Sequence, residues 1–165
     1  MHIYLANQSA QQLDWGSIFD HVGSFYLGST TPDIRAMTGW PREQTHFAPL
    51  SVESVGTGIR TMLESYPALA DPGNQTPATR AFILGYISHL VADEVWITTM
   101  YRTYFDGESN VAGDGVEANM WDRALQLEMD SRTFTSMDGL HQAAEAIVCS
   151  DQSVGVEFLE GEVLQ

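Results

Sequence analysis

The longest regular pattern in the chain runs from Pro77 to about Tyr104. There Phe82, Tyr86, His89, Asp93, Trp96, Met100 and Tyr104 recur at intervals of three or four residues. That spacing gathers them on one stripe of an α-helix. A proline in the first turn and Thr76 or Thr79 as cap fit its start. Residues 2–13 carry Ile3, Leu5, Ala6, Ala10 and Leu13 and predict a short first helix. Residues 16–28, with Ile18, Phe19, Val22, Phe25, Tyr26 and Leu27, read as a helix or turn running into a loop. Pro32, Gly39, Pro41 and Pro49 punctuate residues 29–49, predicting a long irregular segment of the kind that often carries function. A helix over 51–65 ends before Pro67, and Asp71-Pro72-Gly73-Asn74 is a turn. Beyond an acidic, glycine-rich loop at 106–115, helices are expected at 116–131 and 137–149, with a weaker one near 154–164. Almost nothing alternates as a strand does, and no repeat or linker interrupts the chain. The expected fold is therefore all-α, a helical bundle forming a single domain over residues 1–165.

Charge narrows the chemistry. The chain has 22 acidic residues against 7 basic ones, a net charge of −15. All the basic residues are arginines, so a lysine Schiff base and the lysine of a phosphate-binding loop are excluded. Such an acidic surface repels nucleic acid and anionic membranes, so no nucleic-acid partner is expected. No uninterrupted apolar run approaches the roughly 18 residues of a membrane span, and no secretory signal is visible. The expectation is a cytoplasmic protein without stable membrane insertion. A single cysteine, Cys149, excludes an internal disulfide and a cysteine-built zinc site, and reads as core filler near a helix end.

Four strong candidate metal ligands sit in three short, apolar-framed words: Gly28-Ser29-Thr30-Thr31-Pro32-Asp33, Thr45-His46-Phe47 and Gly85-Tyr86-Ile87-Ser88-His89-Leu90-Val91-Ala92-Asp93. Asp33, His46, His89 and Asp93 offer the oxygen and imidazole donors that suit zinc. His89 and Asp93 lie four residues apart and leave the same helix face, where burial without a partner is costly. A hydrogen bond between the pair in the core satisfies them as well as a metal does. Asp33 equally caps a helix from Ile34, and His46 equally serves packing. Gly85, one turn before His89, leaves room for an ion or for another backbone.

In their order and framing these words resemble the zinc-dependent phospholipase C family. Its pattern is an apolar run into Gly-x-x-x-Pro-Asp, then Thr-His, then Gly-Tyr-x-x-His-Leu-x-x-Asp and an aromatic residue. The opening Met1-His2-Ile3-Tyr4-Leu5-Ala6 is similar to the family's start, and the resemblance covers roughly the first 105 residues. It implies an all-α bundle with a zinc cluster in a cleft, an architecture shared with the single-strand-specific zinc nucleases. It makes Asp33, His46, His89 and Asp93 the ligands of one zinc. Asp93 would bridge to a neighbouring zinc that His2, and the backbone at Met1, also bind. The chain departs from the pattern further on, with Thr98 and Thr99 where another histidine belongs. His141 and Glu145 keep a His-x3-Glu spacing but fall far later, on a helix where a surface pair explains them equally. One or two zinc ions therefore fit better than three.

The resemblance implies a metal-dependent hydrolase of a phosphoester, with metal-activated water and Asp33 as the catalytic base. Phospholipid is the family's substrate, and a small soluble phosphodiester or monoester suits the acidic surface at least as well. Arg35 is placed to steady a phosphate or to pair with a surface carboxylate. The other reading is a non-catalytic metal-binding or small-ligand-binding helical protein with a degenerate site. Several further features are weaker. His21 reads as packing, and Asp106, Glu108, Asn110, Asp114 and Glu117 only partly match a calcium loop. Asp122 or Glu128 are possible replacements for the missing ligands, on a helix face otherwise read as salt-bridged. Trp15, Trp40, Trp96 and Trp121 read as core or cleft wall.

Overall fold

The structure is a computed structural model that describes residues 1–12, 16–106, 115–136, 140–150 and 154–159. Every regular element among them is helical: α1 (His2–Gln12), α2 (Gly16–Phe19), α3 (Val22–Thr30), α4 (Arg35–Thr38), α5 (Arg42–His46), α6 (Thr57–Ser65), α7 (Pro77–Val95), α8 (Arg102–Tyr104), α9 (Gly115–Ser136) and α10 (Leu140–Val148). Short 3-10 turns cover Thr31–Ile34, Pro67–Ala70 and Pro72–Asn74. The all-α expectation holds.

The centre of the fold is the pair α3 and α7, and two glycines allow their contact. A Cβ added at Gly85 would stand 1.9 Å from the Phe25 carbonyl oxygen, and one at Gly28 would stand 2.0 Å from the Phe82 carbonyl oxygen. The backbones therefore meet directly, and the space beside His89 is filled by another helix. Phe25, Tyr26 and Ala81 join Ala6, Ala10, Ile18 and Ala143 in one apolar cluster, which ties α1 and α10 to the pair. Phe82, Tyr86 and Leu90 form a second cluster with Phe47, Met62, Val156 and Leu159. Burying a large side chain of this kind is worth about 1.5–3 kcal/mol.

Thr76 caps α7, its hydroxyl accepting from the Thr79 amide at 3.1 Å with Pro77 following in the first turn. The helix widens into a π-helical stretch over Trp96–Tyr101. By length and composition Pro77–Tyr104 is apolar enough to cross a bilayer, although interspersed polar residues break it into short apolar runs. Half of its most apolar window is buried inside the protein, as in a core helix.

The 29–49 segment is more regular than expected. Gly39 (φ 70°) ends α4, and Phe47 (φ 56°) ends α5 directly after His46, so each helix is only one turn long. Such short elements carry no periodicity to detect. Conversely, α9 extends to Ser136, and Val116, Met120, Trp121, Leu127 and Phe134 on it are exposed. Residues 154–156 are irregular and 157–158 form a turn, with Val156 and Leu159 buried, and the rest of the helix expected there lies outside the described residues. Glu108, Asn110 and Asp114 of the calcium-loop match, and Trp15, lie outside them too.

Candidate metal centre

His89 is the anchor. It is fully buried on α7, and its Nδ1 lies 2.9 Å from the Ser29 carbonyl oxygen at the end of α3. A carbonyl only accepts, so Nδ1 carries the hydrogen and Nε2 presents a bare lone pair. His46, also buried, ends α5, and that helix is held to α7 by the Tyr86 hydroxyl donating to the Thr45 carbonyl. The Thr45 hydroxyl lies 3.0 Å from His46 Nδ1 and 3.4 Å from the Arg42 carbonyl, so it either accepts from a protonated Nδ1 or donates to a bare one. In the first tautomer His46 Nε2 is bare as well; in the second its Nε2–H donates to His89 Nε2. These two Nε2 atoms face each other 3.3 Å apart.

In the tautomer that leaves both Nε2 atoms bare, the two lone pairs repel unless a cation lies between them. Two nitrogens bound to a tetrahedral zinc at about 2.0–2.1 Å would stand about 3.3–3.4 Å apart, so the imidazole pair fits zinc. The hydrogen bonds at the two Nδ1 atoms are the outer contacts that fix ligand histidines in metal sites.

Asp33 completes one side. The 3-10 turn begun by Pro32 places Oδ1 3.8 Å from both His46 Nε2 and His89 Nε2, and Oδ2 3.9 Å from His2 Nε2. Its side chain is 61% exposed, the most open of the group. His2, the first residue of α1, stacks on His89 with ring centroids 3.8 Å apart, and its buried Nδ1 has no hydrogen-bond partner. The Met1 amine lies elsewhere, 2.6 Å from Asp130 Oδ1. Two groups of three donors are close enough to share an ion: His2, Asp33 and His89; and His46, His89 and Asp93.

Burial drives the histidines toward the neutral, ligating form. It lowers the His46 pKa to about 2, helped by the charge of Arg42, and that of His2 to about 3, helped by His89. His89 is lowered by burial against the opposing pull of Asp33, the Ser29 carbonyl and Asp93. All three are neutral at pH 7 and need lose no proton to bind metal.

Two charged residues at the centre escaped the sequence reading. Arg42 opens α5, one turn before His46, is nine-tenths buried, and donates through Nη2 to Asp93 Oδ2. The only signal for it was that four-residue spacing. Glu94, next to Asp93, is buried and accepts from the amides of Gly56 (2.5 Å), Thr57 (3.2 Å) and Gly58 (2.6 Å) at the start of α6. It seats α6 against the His46 carbonyl oxygen, which a Cβ at Gly58 would approach to 2.4 Å.

The remaining candidates lie apart from these donors. His141 and Glu145 are exposed and paired with each other at 3.3 Å. They line a shallow surface depression of about 410 Å³ on α10 with Ala144, Val148 and Cys149. Cys149 is exposed there, a correction to its expected place in the core: Ala146 and Ile147 take the inward positions at the end of α10, and Val148 and Cys149 follow on the outside. Asp122 accepts from Trp96 Nε1 at 2.9 Å and from Gln126, and Glu128 pairs with Arg132, so neither replaces a ligand. The hydroxyls of Thr98 and Thr99 turn back to the carbonyls of Glu94 and Val95. Arg35 is exposed on α4, and His21 is half-buried just before α3.

No curated protein and no solved structure matches the chain. The family model for zinc-dependent phospholipase C matches residues 1–105 of the 165, a span that holds every donor of this centre, and the chain belongs to that family.

Proposed function

We propose that the protein is a zinc-dependent phosphoesterase whose metal is held by His46, His89, Asp33 and Asp93, with His2 at the margin. The observation that carries this reading is the pair of buried imidazoles whose Nε2 atoms face each other at 3.3 Å, with Asp33 Oδ1 3.8 Å from both. Zinc, when bound, supplies Lewis-acid activation of water and of a phosphoryl oxygen. The chain's own residues do the rest. His89 and His46 are locked in orientation by Ser29 and Thr45, so no rearrangement is needed to present their lone pairs. Asp33, open to solvent and aimed at both imidazoles, is the group placed to take a proton from the attacking water. The cation Arg42 stands among these donors, while Arg35 lies outside and adds only its charge.

The substrate class is a small phosphoester or a phospholipid. A net charge of −15 favours neither nucleic acid nor anionic bilayers, so a soluble ester or a zwitterionic lipid is the better match. The test is hydrolysis of a chromogenic phosphodiester, a phosphomonoester and phosphatidylcholine by zinc-loaded protein. Turnover should vanish with chelator and return with zinc. His46→Ala and His89→Ala should each lose zinc and melting temperature together, because a ligand bound only by the folded state stabilises it. Zinc-replete protein inert on all three substrates would instead support the non-catalytic binding protein. The helix-bound Thr98 and Thr99, which add no ligand, favour that second reading.

A further inference from the structure

The two donor groups share His89. That residue spends its Nδ1 hydrogen on Ser29 and has a single lone pair left, so it can serve one ion. The two groups therefore cannot each hold an ion of their own and are parts of one coordination shell. On the far side of this shell stands a charge that cannot leave. Arg42 is nine-tenths buried, always protonated, and fixed on the same one-turn helix as His46. Its Nη2 engages Asp93 Oδ2, and its buried Nε has no partner. Asp93 has one oxygen committed to the guanidinium and the other free to ligate.

We propose that the centre is built for one divalent ion and that Arg42 is its second cation: Asp93 bridges an ion and a guanidinium in place of two ions. The charges agree. Two carboxylates, one divalent ion and one guanidinium leave a single net positive charge, which attracts a phosphoester anion. A second divalent ion would leave three beside a buried arginine, where like charges are costly. Arg42 then acts as a positioning residue, holding the Asp93 carboxylate in place and supplying fixed positive charge. This inference rests on the metal reading of the site.

The experiment is a zinc titration of the metal-stripped full chain. Bound equivalents are measured by elemental analysis after gel filtration, and zinc K-edge absorption is examined for metal–metal scattering. Wild type should hold one equivalent with no zinc–zinc signal. Arg42→Gln releases Asp93 and should take up a second, weaker equivalent, whereas Arg42→Lys keeps the charge and should stay at one. Two equivalents in the wild type, or a zinc–zinc signal, would overturn the inference and leave the metal reading standing. So would an Arg42→Gln protein that binds one equivalent with wild-type affinity. Should Arg42→Gln fail to fold, the wild-type count and spectrum still decide. No bound zinc in the wild type would remove both readings.

Discussion

Gly85→Ala lies outside the metal centre yet should damage it. The new Cβ would sit 1.9 Å from the Phe25 carbonyl oxygen and 3.0 Å from the Ser29 amide nitrogen, both backbone atoms that no rotamer change can move. Relief to an ordinary contact of about 3.4 Å requires α3 and α7 to part by about 1.5 Å, a gap that well-packed interiors do not absorb. Overpacking at a buried site costs about 1–3 kcal/mol, and a backbone clash belongs at the upper end or beyond. At about 2–4 °C per kcal/mol for a chain of this size, the melting temperature should fall by roughly 6–12 °C. The same displacement lengthens the 2.9 Å bond from His89 Nδ1 to Ser29 O, so zinc affinity should fall as well. Calorimetry and zinc titration read the two effects. Gly28→Ala opens the same gap from the other side, so the double substitution should cost less than the sum. A Gly85→Ala protein with unchanged melting temperature and zinc affinity would show that the helices do not meet as described.

Two other changes test the groups around the centre. Glu94→Gln keeps the shape but removes the charge that three amides of α6 address, and should destabilise the protein by about 2–3 kcal/mol. Faster hydrogen exchange at Gly56–Gly58 should accompany it, and unchanged exchange would show that the carboxylate does not hold the helix. Acid should weaken the metal-free chain: His46 and His2 titrate at about 2 and about 3 when folded and near 6.5 when exposed, so only the unfolded state gains their protons below pH 6.5. Stability present above pH 6.5 is then lost as pH falls, by about 1.4 kcal/mol per histidine at pH 5.5. Denaturant midpoints at pH 7.5 and 5.5 measure this, and equal midpoints would mean that the imidazoles are open to water.

Periodicity and spacing made α7 readable, and with it the shared face of His89 and Asp93, because nineteen residues supply enough turns for a stripe to stand out. Asp33 and His46 were recognisable only as words in a familiar order. Their elements, a 3-10 turn and a five-residue helix, owe their shape to Pro32 and to the left-handed turn at Phe47. Arg42 and Glu94 stayed hidden for a related reason. Their partners Asp93 and Gly58 lie 51 and 36 residues away, and single residues of common type give no hint of such pairings. The two readings of Gly85, room for an ion or for a backbone, were separable only once α3 was in place.

The one-turn helix α5 has a kinetic consequence. It carries His46 and Arg42 together, and its attachments include the Tyr86 hydroxyl, the Arg42–Asp93 pair, the close approach of Gly58 to the His46 carbonyl and the turn at Phe47. Such a short element opens as a unit, taking a ligand and the charge that steadies Asp93 away in the same event. An ion held here would therefore have two ways out: capture by chelator on the open Asp33 side, which quickens as chelator is added, and opening of α5, which sets a rate that chelator does not change.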